Sequence, residues 1–262
     1  MDGDNTGIDF RVDDAALPQS LIGSDVQVPS VSELRHLRRR IGVPSGEDAR
    51  EQLARLDRVI AEKRGGVGSN VEFIQQNVSV SYASSARLRE LLAASKSEAQ
   101  YPGGVGQRLK MIAKLIKAEL GTTVYYTRLA GFDTHANQRQ PHANLLSQFS
   151  LALSSFYRDL TAAGLADRVL TFAFSEFGRR LRENGSKGTD HGTAGPVFMA
   201  GSIESINGGL FGNAPNLKKL VDGDPTYSTD FRTLYVELLE DWLNSKATGR
   251  IQSPNDRLGF LR

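Results

Sequence analysis

The chain contains no cysteine. Disulfides, thiolate zinc sites and cysteine nucleophiles are excluded together, and the compartment stays open. Histidine is scarce, with four in 262 residues, and tryptophan occurs once. No apolar run approaches the roughly 20 residues that a membrane-spanning helix needs. An excess of one charge sign is also lacking: 32 Lys and Arg against 30 Asp and Glu leave 32 − 30 = +2. That is too small to draw the chain toward nucleic acid or a membrane surface. The opening MDGDNTGIDF has no basic-then-apolar secretory signal. What is present is ordinary for a globular protein, 39% hydrophobic and 24% charged. The length suits one large domain or two small ones.

Residues 1–30 carry six Asp and one Arg with no helical period. They read as an irregular acidic lead-in with one short strand near Asp25–Val28. Residues 31–120 read as a helical segment. Ser30-Val31-Ser32-Glu33 fits a capping box, since the serine hydroxyl can accept from the Glu33 N–H while Glu33 reaches back. Leu34, Leu37 and Ile41 then continue a helix to about Gly42. Arg35, Arg38, Arg39 and Arg40 lie on it beside His36. No aromatic residues interleave with them, so a solvated face or salt bridges to the lead-in fit better than nucleic-acid contact.

Further helices are predicted over about 46–64, 71–94 and 107–120. The last carries Leu109, Ile112, Ala113 and Ile116 on one face. Gly103-Gly104-Val105-Gly106 before it reads as a glycine-rich turn. It does not make a phosphate loop, because no strand precedes it and Lys110 is misplaced for one.

The style changes after Gly121. Thr122–Leu129 is β-branched and aromatic, hence a strand. Pro141 suits the first turn of a long helix. Leu145, Phe149, Leu153, Phe156 and Leu160 form its apolar stripe, and Gly164 ends it. Arg168–Phe174 is a nearly all-apolar strand, as interior parallel strands are. Strand, helix and strand predict a right-handed βαβ unit. Pro196–Ala200 reads as a short third strand. Asp230–Leu243 is a closing helix with Leu234, Leu238, Leu239 and Trp242 apolar.

Three short stretches gather acids and histidines: Gly131-Phe132-Asp133-Thr134-His135, Ser175-Glu176-Phe177-Gly178-Arg179 and Gly188-Thr189-Asp190-His191-Gly192. Parallel strands share a carboxyl edge, so Asp133, His135 and Glu176 are expected on one rim, where ligands of α/β proteins bind. The glycine-rich loop holding Asp190 and His191 can fold over the same rim. Carboxylate oxygen and imidazole nitrogen together suit a divalent cation such as Zn²⁺ or Mn²⁺, with Ca²⁺ a further candidate. Such a cation polarises a phosphoryl or sulfuryl oxygen or activates water. Arg179 and Arg180 are candidate contacts for a tetrahedral anion. His142 and Asn137 are secondary candidates, and His142, on the Leu145/Phe149 face, reads first as a structural histidine. Glu176 also has a capping reading, over a turn at 177–182. Thr134, Ser175 and Thr189 are the adjacent hydroxyls, but none lies in a nucleophile-elbow or Ser-x-x-Lys context.

GFDTHANQ, PHANLL, DRVLTFAFSEFGRRLRENGSKGTDHGTAGPVFMAG and DFRTLYVELLEDWL resemble, in order and spacing, a bacterial family known as domain of unknown function 1501, over roughly 121–242. Weaker similarity reaches back to LPQSLIGSDVQVPS. That family is related to sulfatases and alkaline phosphatases. The resemblance implies an alkaline-phosphatase-like α/β fold, a mixed sheet with helices on both faces, over 121–262. It also implies a divalent-metal shell of Asp133, His135, Glu176, Asp190 and His191, with Asp190 a ligand or the orienting partner of His191. Glu176 stands where the superfamily has Asp, and Phe177 where it has His. Asn137, four residues after Asp133, stands where the superfamily has another His.

Family members resemble longer proteins in which a Gly- and Asp-rich segment precedes this region, so the chain corresponds to a C-terminal portion with N-terminal strands of the sheet missing. The family is typically exported, which implies an exported or periplasmic full-length form. Two functions are expected from the resemblance. One is a metal-dependent hydrolase of small-molecule or polysaccharide phosphate or sulfate esters. The other is a non-catalytic exported binding or scaffold protein with a degenerate metal site.

Overall fold

The structure, a computed structural model, describes residues 10–11, 99–119, 122–247 and 251–262. The strand expected near Asp25–Val28, the helices expected over 30–42, 46–64 and 71–94, and His36 with its arginines lie outside the described residues. The chain divides into two units, Met1–Arg128 and Leu129–Arg262. The architecture is mixed α/β. Among the described residues the strands pair as four two-stranded ladders, not as one mixed sheet. Most of these strands are two to four residues long, too short to carry a wide sheet by main-chain pairing alone.

In the first unit, β1 (Phe10–Arg11) runs parallel to β2 (Tyr125–Tyr126), with Phe10 opposite Tyr125. A strand therefore falls inside the stretch that reads as irregular lead-in. β2 is also much shorter than the run predicted over 122–129. Helix α1 (Gly103–Lys117) begins four residues earlier than its apolar period suggests, at the glycines read as a turn. Pro102 stands immediately before it in extended conformation, and Gly103 takes φ +67° at its start. A side chain at Gly106 would approach the Tyr101 carbonyl carbon to 3.0 Å, so the glycine lets the first turn close on Tyr101. Val105, Leu109, Ile112, Ala113 and Leu115 are buried. Lys114 and Lys117 lie in the last turn, where cations complement the helix dipole. Arg108 ties α1 to the chain after β2 through the Thr127 hydroxyl (3.1 Å) and the Arg128 carbonyl.

The second unit is organised around α2 (Arg139–Ala162), which contains Pro141 in its first turn. The predicted stripe is in register: Leu145, Phe149 and Leu153 are half-buried, while Phe156 and Leu160 are buried. Gly164, at φ +69°, ends the helix. The Leu165 N–H returns to the Leu160 carbonyl at 2.9 Å and the Gly164 N–H to Thr161 at 3.0 Å. Those two bonds form a Schellman stop.

After a short 3-10 turn (Ala166–Arg168), β3 (Thr171–Ala173) pairs antiparallel with β6 (Phe198–Ala200). The expected βαβ unit is therefore not formed: β2 pairs with β1, and β3 with β6. Side-chain alternation gives the β3–β6 ladder two covered faces. On one face the Tyr157 hydroxyl of α2 meets the Thr171 hydroxyl at 3.0 Å and donates to the Ala200 carbonyl, and Phe149 lies 6.1 Å from Phe198. On the other face Phe172 and Phe174 meet Tyr235 of α3 (Phe231–Glu237) at 5.7 and 6.4 Å.

Between β3 and β6 stands a hairpin of β4 (Gly178–Glu183) and β5 (Thr189–Gly192). It replaces both the turn expected at 177–182 and the loop expected around Asp190. A smaller hairpin, β7 (Leu220–Val221) with β8 (Asp224–Pro225), leads to α3, which widens into a π-helical turn over Leu238–Trp242. Among the described residues no helix is long and apolar enough to cross a membrane.

Asp230 caps α3. Its carboxylate accepts from the Arg232 backbone N–H at 2.9 Å, and from the Arg232 guanidinium at 2.9 and 2.7 Å. The Arg232 side chain and then its backbone N–H hold this carboxyl down to about 2. A depressed carboxyl stabilises the fold above its unfolded value of about 3.9, and that contribution is lost as pH falls toward 2. Asp230→Ala is expected to cost about 1 kcal/mol near neutral pH. In denaturant melts the gap between wild type and variant should close between about pH 4 and pH 2. A gap that is constant over that range would refute the cap.

Candidate metal centre

The centre is built from two pieces of the second unit: the irregular run that precedes α2, and the β4–β5 hairpin. In the first piece the Thr134 N–H bonds the Phe132 carbonyl at 2.8 Å, a γ-type turn with Asp133 at its centre. Four residues after Asp133 the chain bends again, with Asn137 in the left-handed region at φ +44° that asparagine tolerates. The run is held on the hairpin turn by main-chain bonds from Asn137 N–H to Ser186 (2.9 Å) and from Gln138 N–H to Lys187 (2.9 Å). Gly188 lies flush against it: a Cβ there would sit 2.3 Å from the His135 carbonyl carbon.

The hairpin pairs Gly178 with Gly192, Arg179 with His191 and Glu183 with Thr189. Arg180, Leu181 and Arg182 thus face the single residue Asp190, and the ladder is irregular there. Such bulges re-aim side chains. At the open end Gly178 is pressed on Ala194, whose carbonyl oxygen would lie 1.9 Å from an added Cβ.

These contacts converge Asp133, His135 and His191. One oxygen of Asp133 lies 2.7 Å from His191 Nε2 and 2.9 Å from His135 Nε2. The two imidazole centroids are 4.9 Å apart, inclined at 39°. Among the described residues this is a group whose carboxylate oxygen and two ring nitrogens all lie within 4.8 Å of one another. A tetrahedral ion with bonds of about 2.0–2.1 Å holds its ligand atoms about 3.4 Å apart.

All three side chains are about half exposed, so they can rotate and solvent can enter. The His191 hydrogen bond, then the charges of His191 and His135, hold the Asp133 carboxyl below the usual carboxylate range. Asp190 stands behind His135, with Oδ1 3.6 Å from Nδ1. A hydrogen bond from the Asn184 side chain, then the nearby His135 ring, hold its carboxyl low as well. Both acids are thus ionised and offer only acceptors.

The other sequence candidates fall elsewhere. Glu176 is exposed in the bend between β3 and β4 and is not in the group. Arg179 donates to the carbonyls of Phe132 and Thr189, locking the pre-helix run to β5. Arg180 bonds Asp224 at 3.2 Å and the Asp222 carbonyl. His142 packs edge-to-face on Phe132 at 5.5 Å, and Asn137 serves through its backbone.

Phe177 takes a role that its spacing did not suggest. Its ring lies parallel to His191 at 4.1 Å and 7°, with the Arg179 guanidinium 5.0 Å from its centroid. The alternation of Phe177, Arg179 and a partner at 191 could have shown this, had the hairpin been read from Asn184-Gly185. The three hydroxyls are all engaged: Thr134 with the Phe132 carbonyl, Ser175 with the Phe177 N–H, and Thr189 across the seam with the Gln138 side chain.

Residues 17–241 match the family described as Protein of unknown function (DUF1501), and the chain belongs to that family. No curated protein and no solved structure matches it.

The contact at Gly188 yields a direct expectation. Gly188→Ala should overpack the His135 backbone and cost about 1–3 kcal/mol in urea unfolding. Gly185→Ala, where nothing lies within 4 Å of an added Cβ, should be close to neutral. Equal losses at the two glycines would refute the close approach.

Proposed function

We propose that Asp133, His135 and His191 bind one divalent cation, and that the chain is a metal-dependent hydrolase of phosphate or sulfate esters with an alkaline-phosphatase- or sulfatase-like fold. The observation that carries this reading is the meeting of one ionised carboxylate oxygen with two imidazole Nε2 atoms at 2.7 and 2.9 Å. Two nitrogens in the set favour Zn²⁺ or Mn²⁺ over Ca²⁺, which prefers oxygen alone. A cation held there supplies Lewis acidity toward a phosphoryl or sulfuryl oxygen and toward water. Asp133 contributes negative charge, and Asp190 orients His135 from behind, as outer carboxylates do for ligating histidines. Three protein ligands leave a position open, as catalytic sites require. Arg179 lies beside Phe177, and Phe177 beside His191, so it is the anion contact in this reading, while Arg180 supports the β7–β8 hairpin.

A second reading, a non-catalytic binding or scaffold protein with a degenerate site, is favoured by Phe177. Its ring covers one face of His191 and offers no ligand.

One series of measurements separates the readings. The chain, stripped with chelator, is titrated calorimetrically with Zn²⁺ and Mn²⁺. One ion per chain is expected, with His191→Ala and Asp133→Ala weakening it by about tenfold or more. The loaded protein is then offered aryl phosphate and aryl sulfate esters. Turnover abolished by chelation supports the hydrolase, stoichiometric binding without turnover supports the scaffold, and a failure to bind either ion sinks the metal centre and the hydrolase with it.

A further inference from the structure

The turn that joins β4 to β5 is closed by one side chain, that of Asn184. Its Oδ1 accepts from the backbone N–H groups of Ser186 (3.0 Å) and Gly188 (3.1 Å). Its Nδ2 donates to the His135 carbonyl (3.1 Å) and to Asp190 Oδ1 (3.0 Å). The chemistry of the four partners decides the orientation of the amide. Two are backbone N–H groups, which only donate, and two are oxygens that only accept. A flipped amide would oppose like with like at every contact.

The donor side is the informative one. The Asp190 oxygen that receives the Asn184 hydrogen is the one 3.6 Å from His135 Nδ1. The same Nδ2 also holds the backbone carbonyl of His135. One amide group thus holds the His135 main chain directly and fixes the carboxylate that stands 3.6 Å behind its ring. The tightness of a turn accounts for the two accepted N–H bonds. It does not account for two donated bonds that end on the His135 main chain and on the carboxylate behind the His135 ring.

We propose that Asn184 is a positioning residue of the metal centre, fixing the direction in which the His135 imidazole presents Nε2. This rests on the metal reading above. The residue touches neither ion nor substrate, and acts through Asp190 and the His135 backbone.

Asn184→Asp separates the two halves of the interaction. A carboxylate still accepts from Ser186 and Gly188, so the turn keeps its bonds. Its second oxygen then faces the His135 carbonyl and Asp190, two acceptors, and the donated bonds are lost. Asn184→Ser is the second variant. Its hydroxyl also accepts in such turns but is too short to span to both partners.

Wild type, N184D and N184S, each as the full chain, are titrated with Zn²⁺ against a competing chelator. The His135 ring-nitrogen shifts of the metal-free proteins are followed by NMR at one pH. Both variants are expected to bind Zn²⁺ about 10- to 100-fold more weakly. The His135 ring signals should move while apo melting temperatures stay close to wild type. Wild-type binding that both variants retain would overturn the role of Asn184 alone. So would a loss of affinity accompanied by a large fall in melting temperature, or one in which the His135 ring signals do not move. A wild-type chain that takes up no Zn²⁺ would overturn the metal reading and this inference with it.

Discussion

The close approach of the hairpin turn to the run before α2 is the constraint on which the centre depends. Asp133 and His135 come from one part of the chain and His191 from a part more than fifty residues later. Bringing them together has an entropic cost that cluster contacts between half-exposed side chains would not offset alone. Backbone contact does the holding instead. Gly188 allows the two main chains to touch, and Asn137 and Gln138 donate two bonds across the junction. Arg179 closes it from the other end by binding a carbonyl on each side. A planar guanidinium can satisfy two fixed carbonyls at once, which a lysine cannot do with the same geometry. The arginine that suggests an anion contact in the sequence is therefore also a clamp in the fold.

The electrostatics of the cluster also fix where its ring hydrogens lie. Asp133 is held ionised and can only accept. The two short contacts to its oxygen therefore place hydrogens on Nε2 of both His135 and His191. Those are the atoms that would ligate. In the proposed metal reading a cation would take the place of these hydrogen bonds, and Asp190, behind His135, would orient the ring from its Nδ1 side.

Much of α2 was legible because helical spacing is local. Leu145 to Leu160, Pro141 and Gly164 all serve as their positions suggest. Strand pairing was not legible in the same way. Thr122–Leu129 and Arg168–Phe174 have strand composition, but partner choice is a long-range matter that composition does not encode. Tyr157 shows what decided the second case. Its hydroxyl reaches both β3 and β6, so α2 packs over an antiparallel pair rather than linking two parallel strands. The β4–β5 hairpin escaped for a different reason. Gly178–Glu183 is polar and arginine-rich, because this strand faces carbonyls and carboxylates and not a core. Only the Asn-Gly pair at its tip carries a hairpin signal.

The candidate residues nevertheless met, and the reason bears on what the centre can hold. The sequence places Asp133 and His135 on the shared edge of parallel strands, with the loop of His191 folded over it. They meet instead at the seam between a hairpin and a pre-helix turn, a geometry that owes nothing to a βαβ rim. Glu176, placed by the rim argument alone, does not join them. Phe177 lies parallel to His191 at 4.1 Å. A ring stacked face to face can fix the tilt of an imidazole but offers no ligand atom. Among the described residues the donor set therefore stops at two nitrogens and one carboxylate, with Asp190 behind. That set suits a single cation with an open position. It lacks the further ligands that a bridged pair of cations would need.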